Sequence, residues 1–292
     1  MTWTDRREKF RAILAGSRCV FPATVFDPLS ARMAVDLGFE AGVFAGSVAS
    51  LVVLGAPDIV LLTLSEFVEQ AHRTTRAVSL PIVADADHGY GNALNVMRTV
   101  EELEAAGISA LSIEDTLLPT PYGAQGKSKL IPLEEGVGKM RAAVAARRDK
   151  SLAIFARTSA LADTGTEDAV KRFSAYAKTG VDGIFVIGAK TREQIDAVAA
   201  AVKLPMILGP VPPGLADADY LSQKGFRLHI LGHAAFFAGL KGFYEALKAI
   251  RAGTPVKDIP VPPHDLIQRL TRAEEYRRQT RDFLGGDQGH RD

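Results

Sequence analysis

Residues 94–115 read LNVMRTVEELEAAGISALSIED. The first part, 94–106, spaces its apolar residues as an amphipathic helix does. Gly107 follows, and glycine suits the left-handed position that ends a helix. Residues 110–113 then form a short run rich in apolar residues, and it stops at Glu114-Asp115. Helix, glycine, buried strand and polar strand end make one unit. Its glycine junction recurs at Leu37-Gly38-Phe39, Thr179-Gly180-Val181 and Lys224-Gly225-Phe226. Leu80-Pro81 and Leu204-Pro205 mark two further strand entries, because proline stops a helix and tolerates the first strand position.

Working outward from these signals gives eight apolar runs, at residues 19–23, 41–45, 81–84, 110–113, 152–156, 183–187, 205–208 and 228–231. Most are continuous rather than alternating, as expected of parallel strands buried on both faces. Helical stretches such as 167–179 lie between most of them, and Thr191 with Gln194 reads as a capping box. Eight strands alternating with helices predict an α/β fold, a closed (β/α)8 TIM barrel over residues 1–254. A doubly wound sheet is the competing architecture, but no glycine fingerprint follows the first strand. Residues 255–263 read as a proline-rich connector, 264–284 as one charged helix, and 285–292 as a disordered tail. The extra C-terminal helix packs either on its own barrel or, swapped, on a neighbouring subunit.

Composition narrows the function classes. With 47% hydrophobic residues, 292 residues can bury one large core. Lys and Arg number 35 against 34 Asp and Glu, so no charge bias points to nucleic acid or an anionic membrane. No apolar run reaches the roughly 18 residues of a membrane span. Residues 1–11 are charged and lack a signal-peptide core. Cys19 is the sole cysteine, which predicts a reducing, cytoplasmic setting.

Barrel chemistry sits at the C-terminal strand ends. There the sequence places Gly46-Ser47, Asp85-Ala86-Asp87, Glu114-Asp115, Arg157 and Gly232-His233. Asp85 and Asp87 are two apart, so strand alternation puts both on one side. With Glu114 they crowd three carboxylates, which raise one another's pKa unless a cation sits among them. Oxygen-only ligands favour Mg²⁺, Ca²⁺ or Mn²⁺ over zinc, and Mg²⁺ keeps several waters. Arg157 either pairs with Glu114 or grips a substrate carboxylate. Small residues around Ser47 let backbone N–H groups approach an anion. His233 is either a core histidine or a substrate contact. His88 and His229 read as structural. Residues 117–129 look like a lid, and Gly126-Lys127-Ser128 within it is not a P-loop, since position 121 is Pro.

Gly46-Ser47, Pro57-Asp58, Ala84-Asp85-Ala86-Asp87 with Gly89-Tyr90-Gly91, Ile113-Glu114-Asp115 and Ala156-Arg157-Thr158 resemble the isocitrate lyase/phosphoenolpyruvate mutase superfamily. The match runs from about residue 8 to about 250. The resemblance implies a (β/α)8 barrel, homotetramers that swap a C-terminal helix, Mg²⁺, and α-keto or α-hydroxy acid chemistry through an enolate. It implies a metal set of Asp85, Asp87, Glu114 and Asp58. Gly46 and Ser47 would bind substrate, and Arg157 and His233 would bind it and serve catalysis. The cysteine loop of the isocitrate and methylisocitrate lyases is replaced by Thr120-Pro121-Tyr122-Gly123, and their Glu after strand six by Ile187-Gly188. The Lys and Asn of the mutase loop are also missing from Thr116-Leu117-Leu118-Pro119. Residues 87–94, 114–119 and 232–235 are instead similar to the oxaloacetate decarboxylase subgroup. The expected reaction is Mg²⁺-dependent loss of CO2 from a small α-keto acid, oxaloacetate, giving pyruvate. The alternatives are a C–C lyase on a related diacid, a Schiff-base aldolase using Lys190, and a non-catalytic carboxylate-binding barrel.

Overall fold

The computed structural model describes residues 2–124, 129–215 and 217–285. Eight strands occur in it: β1 (Ala23–Thr24), β2 (Gly42–Ala45), β3 (Ile82–Asp85), β4 (Ala110–Glu114), β5 (Ala153–Thr158), β6 (Gly183–Val186), β7 (Met206–Leu208) and β8 (Phe226–His229). Each pairs in parallel with the next, in the order β1 to β8. Val20 closes the ring against β8: its N–H donates to the Arg227 carbonyl at 2.9 Å, and its carbonyl accepts from the His229 N–H at 2.9 Å. The TIM barrel expected from the repeat is the observed fold.

The first strand differs from the expected 19–23. Val20 makes a single bridge and the ladder resumes only at Ala23. Pro22 lies between and has no N–H to donate. The charged C-terminal stretch is also two helices rather than one, His264–Thr271 and Ala273–Leu284. Arg272 between them adopts φ 57°, which breaks the helical path, and the Thr271 hydroxyl bonds back to the Ile267 carbonyl at 2.7 Å. By contacts the chain divides into two units between Ala234 and Ala235. The helix Ala234–Arg251 buries none of its residues. Among the described residues no helix is long and apolar enough to cross a membrane. The sequence motif at 126–128 and the tail from 286 lie outside the described residues.

The barrel interior is filled by Val43, Val83, Ala110, Phe155, Phe185, Ile207 and Leu228. The N-terminal helix Trp3–Ala15 belongs to the same cluster through Phe10 and Leu14. Phe10 meets Phe155 edge-on, with ring centroids 6.2 Å apart. Arginines on that helix tie it to the strand entries. Arg7 pairs with Asp149 at 2.7 Å and donates to the Ile108 carbonyl at 3.0 Å. Arg11 pairs with Asp182 at 2.7 Å. The N-terminal end of the barrel is thereby stopped, and the opposite end is the one left to open.

Gly183 shows how tightly the interior is filled. A methyl there would lie 2.3 Å from a Phe155 ring carbon and 2.5 Å from the Pro205 carbonyl oxygen. Gly183→Ala is therefore expected to cost about 1–3 kcal/mol of stability, the usual range for overpacking. Thermal denaturation checks it; an unchanged melting temperature would contradict this packing.

Candidate active site

β3 ends at Asp85, registered beside Ala45 of β2 and Ser112 of β4. Beyond it the backbone enters unusual conformations. Asp87 has φ 47° and Tyr90 φ 60°, each costing roughly 1–3 kcal/mol in a non-glycine residue. Three successive carbonyls hold this turn in place. Asp87 O accepts from the Glu114 N–H at 2.8 Å, His88 O from Lys139 Nζ at 2.5 Å, and Gly89 O from the Thr99 hydroxyl at 3.0 Å. Asp85 and Asp87 do line one pocket, but strand alternation is not the reason. The strand has ended, and the left-handed turn delivers Asp87. Gly46 leaves the space for it: a methyl there would lie 2.4 Å from Asp87 Oδ2.

The pocket holds about 180 Å³, small beside sites for drug-sized ligands. Its polar wall comprises Ser47, Asp58, Asp85, Asp87, Arg157 and His233; Phe185, Ile187, Pro210 and Ile230 supply apolar surface. Arg157, at the end of β5, donates from Nη1 to Asp85 Oδ2. Its Nε lies 3.1 Å from Glu114 Oε2, but outside hydrogen-bond geometry. Arg157 thus pairs with Glu114 and also lines the pocket. Asp85 Oδ1 accepts from the buried Ser112 hydroxyl at 2.8 Å.

Electrostatics follow from this crowding. Burial, then Asp85 and Glu114, push Asp87 well above the usual carboxylate range. Burial also raises Glu114, even against the attraction of Arg157. Asp58 is an exposed residue on the loop before the helix Leu64–Thr75, yet partial desolvation and Asp85 raise it as well. Burial alone would lower Arg157, but Asp85, Glu114 and Asp87 outweigh it and leave the guanidinium more firmly charged.

His233 follows β8 and faces Ser47, with Nε2 3.4 Å from the Ser47 oxygen. Its Nδ1 lies 3.1 Å from the Thr24 oxygen. Burial lowers its pKa, with Asp85 and Asp58 opposing. Ser47 sits in the short helix Gly46–Ala49, which no side chain caps at Ala45.

Other residues fall elsewhere. Asp115 is fully buried away from the pocket, accepting from Arg172 at 3.0 Å and the Tyr176 hydroxyl at 2.6 Å. His88 and His229 are buried and do not line the pocket. Lys190 is exposed, as a Schiff-base lysine would not be. Burial pushes the Cys19 thiol up to about 12. Thr24 and Ser112 escaped the sequence reading, although Ser112 interrupts an otherwise apolar strand two residues before Glu114. Only part of the 117–129 loop is described; it leaves β4 through a Thr116–Leu130 bridge.

Fold and site together describe a (β/α)8 barrel with a small, polar pocket at its C-terminal mouth. The chain belongs to the phosphoenolpyruvate phosphomutase family, whose model matches residues 10–251. It is 51% identical over 286 residues to an oxaloacetate decarboxylase of Rhodopseudomonas palustris strain BisB18, covering 98% of this chain and 99% of that one. Two solved structures are similar. Phosphonopyruvate hydrolase in complex with oxalate and Mg²⁺ is 31% identical, with TM-score 0.84 and coverage of 96% and 99%. Oxaloacetate acetylhydrolase in complex with 3,3-difluorooxalacetate is 26% identical, with TM-score 0.84 and coverage of 98% and 99%.

The raised Asp87 carboxyl has a measurable consequence. A carboxyl whose folded pKa exceeds its unfolded value favours folding at low pH and loses that contribution as pH rises through the folded pKa. In excess chelator, Asp87→Asn is expected to melt above the parent protein at neutral pH, by about 2–4 °C per kcal/mol of relief. The gap should close as pH falls below about 4, where Asp87 becomes protonated in both states. A gap that widens on acidification would contradict the assignment.

Proposed function

We propose that the protein decarboxylates oxaloacetate to pyruvate and CO2 with the help of a divalent cation, Mg²⁺ or Mn²⁺. The observation that carries this reading is the crowding of Asp85, Asp87 and Glu114 around one guanidinium, Arg157. Carboxylates outnumber the basic groups facing them, and a cation would relieve the excess. The donor set is all oxygen, which suits a hard ion. Among the described residues no three acidic, histidine or cysteine side chains close on one point. Asp85 would hold the ion, with Asp87, Glu114 and Asp58 acting through water. Once bound, the ion supplies Lewis-acid stabilisation of negative charge on the substrate's keto oxygen.

The chain's own groups provide the rest. Arg157 spends Nη1 on Asp85 and directs its charge at Glu114, which leaves Nη2 for a substrate carboxylate. The uncapped first helical turn at Gly46-Ser47 presents N–H groups suited to the other carboxylate. His233 reaches the same space through Ser47. Phe185, Ile187 and Ile230 exclude water from the carbon chain. Cleavage of the C3–C4 bond leaves an electron pair on C3 that delocalises to the C2 oxygen, and preorganised charge there lowers the barrier. No thiol is required, and Cys19 is buried and firmly protonated.

The 51% identity to an oxaloacetate decarboxylase over nearly the whole chain supports the substrate. We further infer a homotetramer. The helix Ala234–Arg251 exposes Phe237, Leu240, Phe243, Tyr244 and Leu247, a patch suited to burial against another copy. A single free, buried cysteine supports a reducing, cytoplasmic setting.

Steady-state assay of small α-keto acids, following CO2 and pyruvate, tests the reading. Oxaloacetate turnover should vanish in chelator and return with Mg²⁺, and Asp85→Ala should lower kcat by about 10²–10³-fold in a folded protein. Isocitrate and methylisocitrate should remain uncleaved. Full turnover in chelator would remove the metal, and comparable isocitrate cleavage would remove the decarboxylase reading.

A further inference from the structure

We propose that Thr24 fixes His233 in the tautomer that carries its proton on Nδ1, so that an unprotonated Nε2 faces Ser47 and the substrate. Thr24 is then a positioning residue, acting through His233. The relevance to catalysis rests on the substrate-facing role of His233 proposed above; the tautomer itself does not.

The argument is a count of protons. The Thr24 hydroxyl lies 3.2 Å from the Gly232 carbonyl oxygen and 3.1 Å from His233 Nδ1. A hydroxyl has one proton to give, and a backbone carbonyl can only accept. Both contacts are hydrogen bonds at once only if the Thr24 proton goes to Gly232 O, which leaves the Thr24 oxygen as an acceptor. The contact with Nδ1 is a hydrogen bond only if Nδ1 is the donor. A neutral imidazole carries one N–H, so Nε2 holds a lone pair. Burial favours the neutral ring. The Ser47 oxygen, 3.4 Å from Nε2, is placed to donate to that lone pair.

Position supports the same reading. Thr24 ends β1, and Gly232-His233 follows β8; Val20 joins these segments across the barrel seam. Gly232 has φ 87°, a left-handed conformation that aims its carbonyl and the next side chain independently. The Thr24 hydroxyl thus ties both the backbone and the ring of residues 232–233. A second partner that fixes which ring nitrogen is protonated is a recurrent way of setting histidine chemistry. For decarboxylation the consequence is definite. Resting His233 accepts a hydrogen bond from Ser47 or substrate at Nε2. The proton that ends on C3 of pyruvate is not one that resting His233 carries on Nε2.

Nitrogen NMR of the full-length protein labelled with ¹⁵N-histidine reads the tautomer directly. His233 resonances are assigned by their loss in His233→Gln and recorded at a pH where the ring is neutral. The parent protein should show a protonated Nδ1 and a bare Nε2. Thr24→Val keeps the shape and removes the acceptor, so the population should move towards Nε2–H. kcat/KM for oxaloacetate should then fall by about 10-fold, on the order of the 1.4 kcal/mol of one hydrogen bond. Thr24→Ser should restore the parent tautomer and most of the rate. An Nε2–H tautomer in the parent protein, or no change in Thr24→Val, would overturn the proposal. A tautomer that shifts as expected with unaltered kinetics would support the Thr24 lock and sink the substrate-facing role of His233 instead.

Discussion

Much of this barrel mouth depends on one guanidinium among too many carboxylates. Arg157 contacts Asp85 and Glu114, yet Asp87 and Glu114 still stand above the usual carboxylate range. Removing Arg157 from this buried set would be costly, because the carboxylates would be left unpaired in low dielectric. The arrangement makes sense as half of a site. In the proposed reading the protein supplies negative charge in excess of what Arg157 balances, and a divalent ion would supply the rest. Stability is given up locally so that binding has something to gain.

The surroundings keep that excess in place. The turn carrying Asp87 holds Asp87 and Tyr90 at positive φ, so it persists only because other elements over-determine it. The Glu114 amide, the Lys139 ammonium and the Thr99 hydroxyl each take one of three consecutive carbonyls. Lys139 is 2% exposed, and burial lowers its pKa while Glu135, Glu114 and Asp115 oppose that shift. Next in sequence to Glu114, Asp115 is held by Arg172 and Tyr176. At the opposite barrel end, the N-terminal helix with Phe10 and its arginines fills the opening.

Much of this was legible in the sequence because burial on both faces writes itself as continuous apolar runs, and glycine junctions mark where each strand begins. The runs place Asp85, Glu114, Arg157 and His233 at strand ends, and all but Glu114 line the pocket while Glu114 sits behind it on Arg157. What was not legible depends on contacts between distant segments. Strand alternation put Asp87 beside Asp85 for the wrong reason, since a left-handed turn is set by partners on β4 and two helices rather than by the local pattern. Pro22 split the first strand. Thr24 looks like any strand-end threonine until residues 232–233 are brought next to it. The break at Arg272 likewise has no glycine or proline to announce it.

Proton counting on cation binding tests the central claim most directly. If burial, with the neighbouring carboxylates, holds Asp87 and Glu114 partly protonated, an arriving cation must displace protons. Calorimetric titration of the metal-free protein with Mg²⁺, repeated near neutral pH in buffers of different ionisation enthalpy, measures that number. The account predicts net proton release that diminishes as pH rises, and that is reduced in Asp87→Asn. Mg²⁺ binding with no proton release at any pH, or no binding at all, would contradict it.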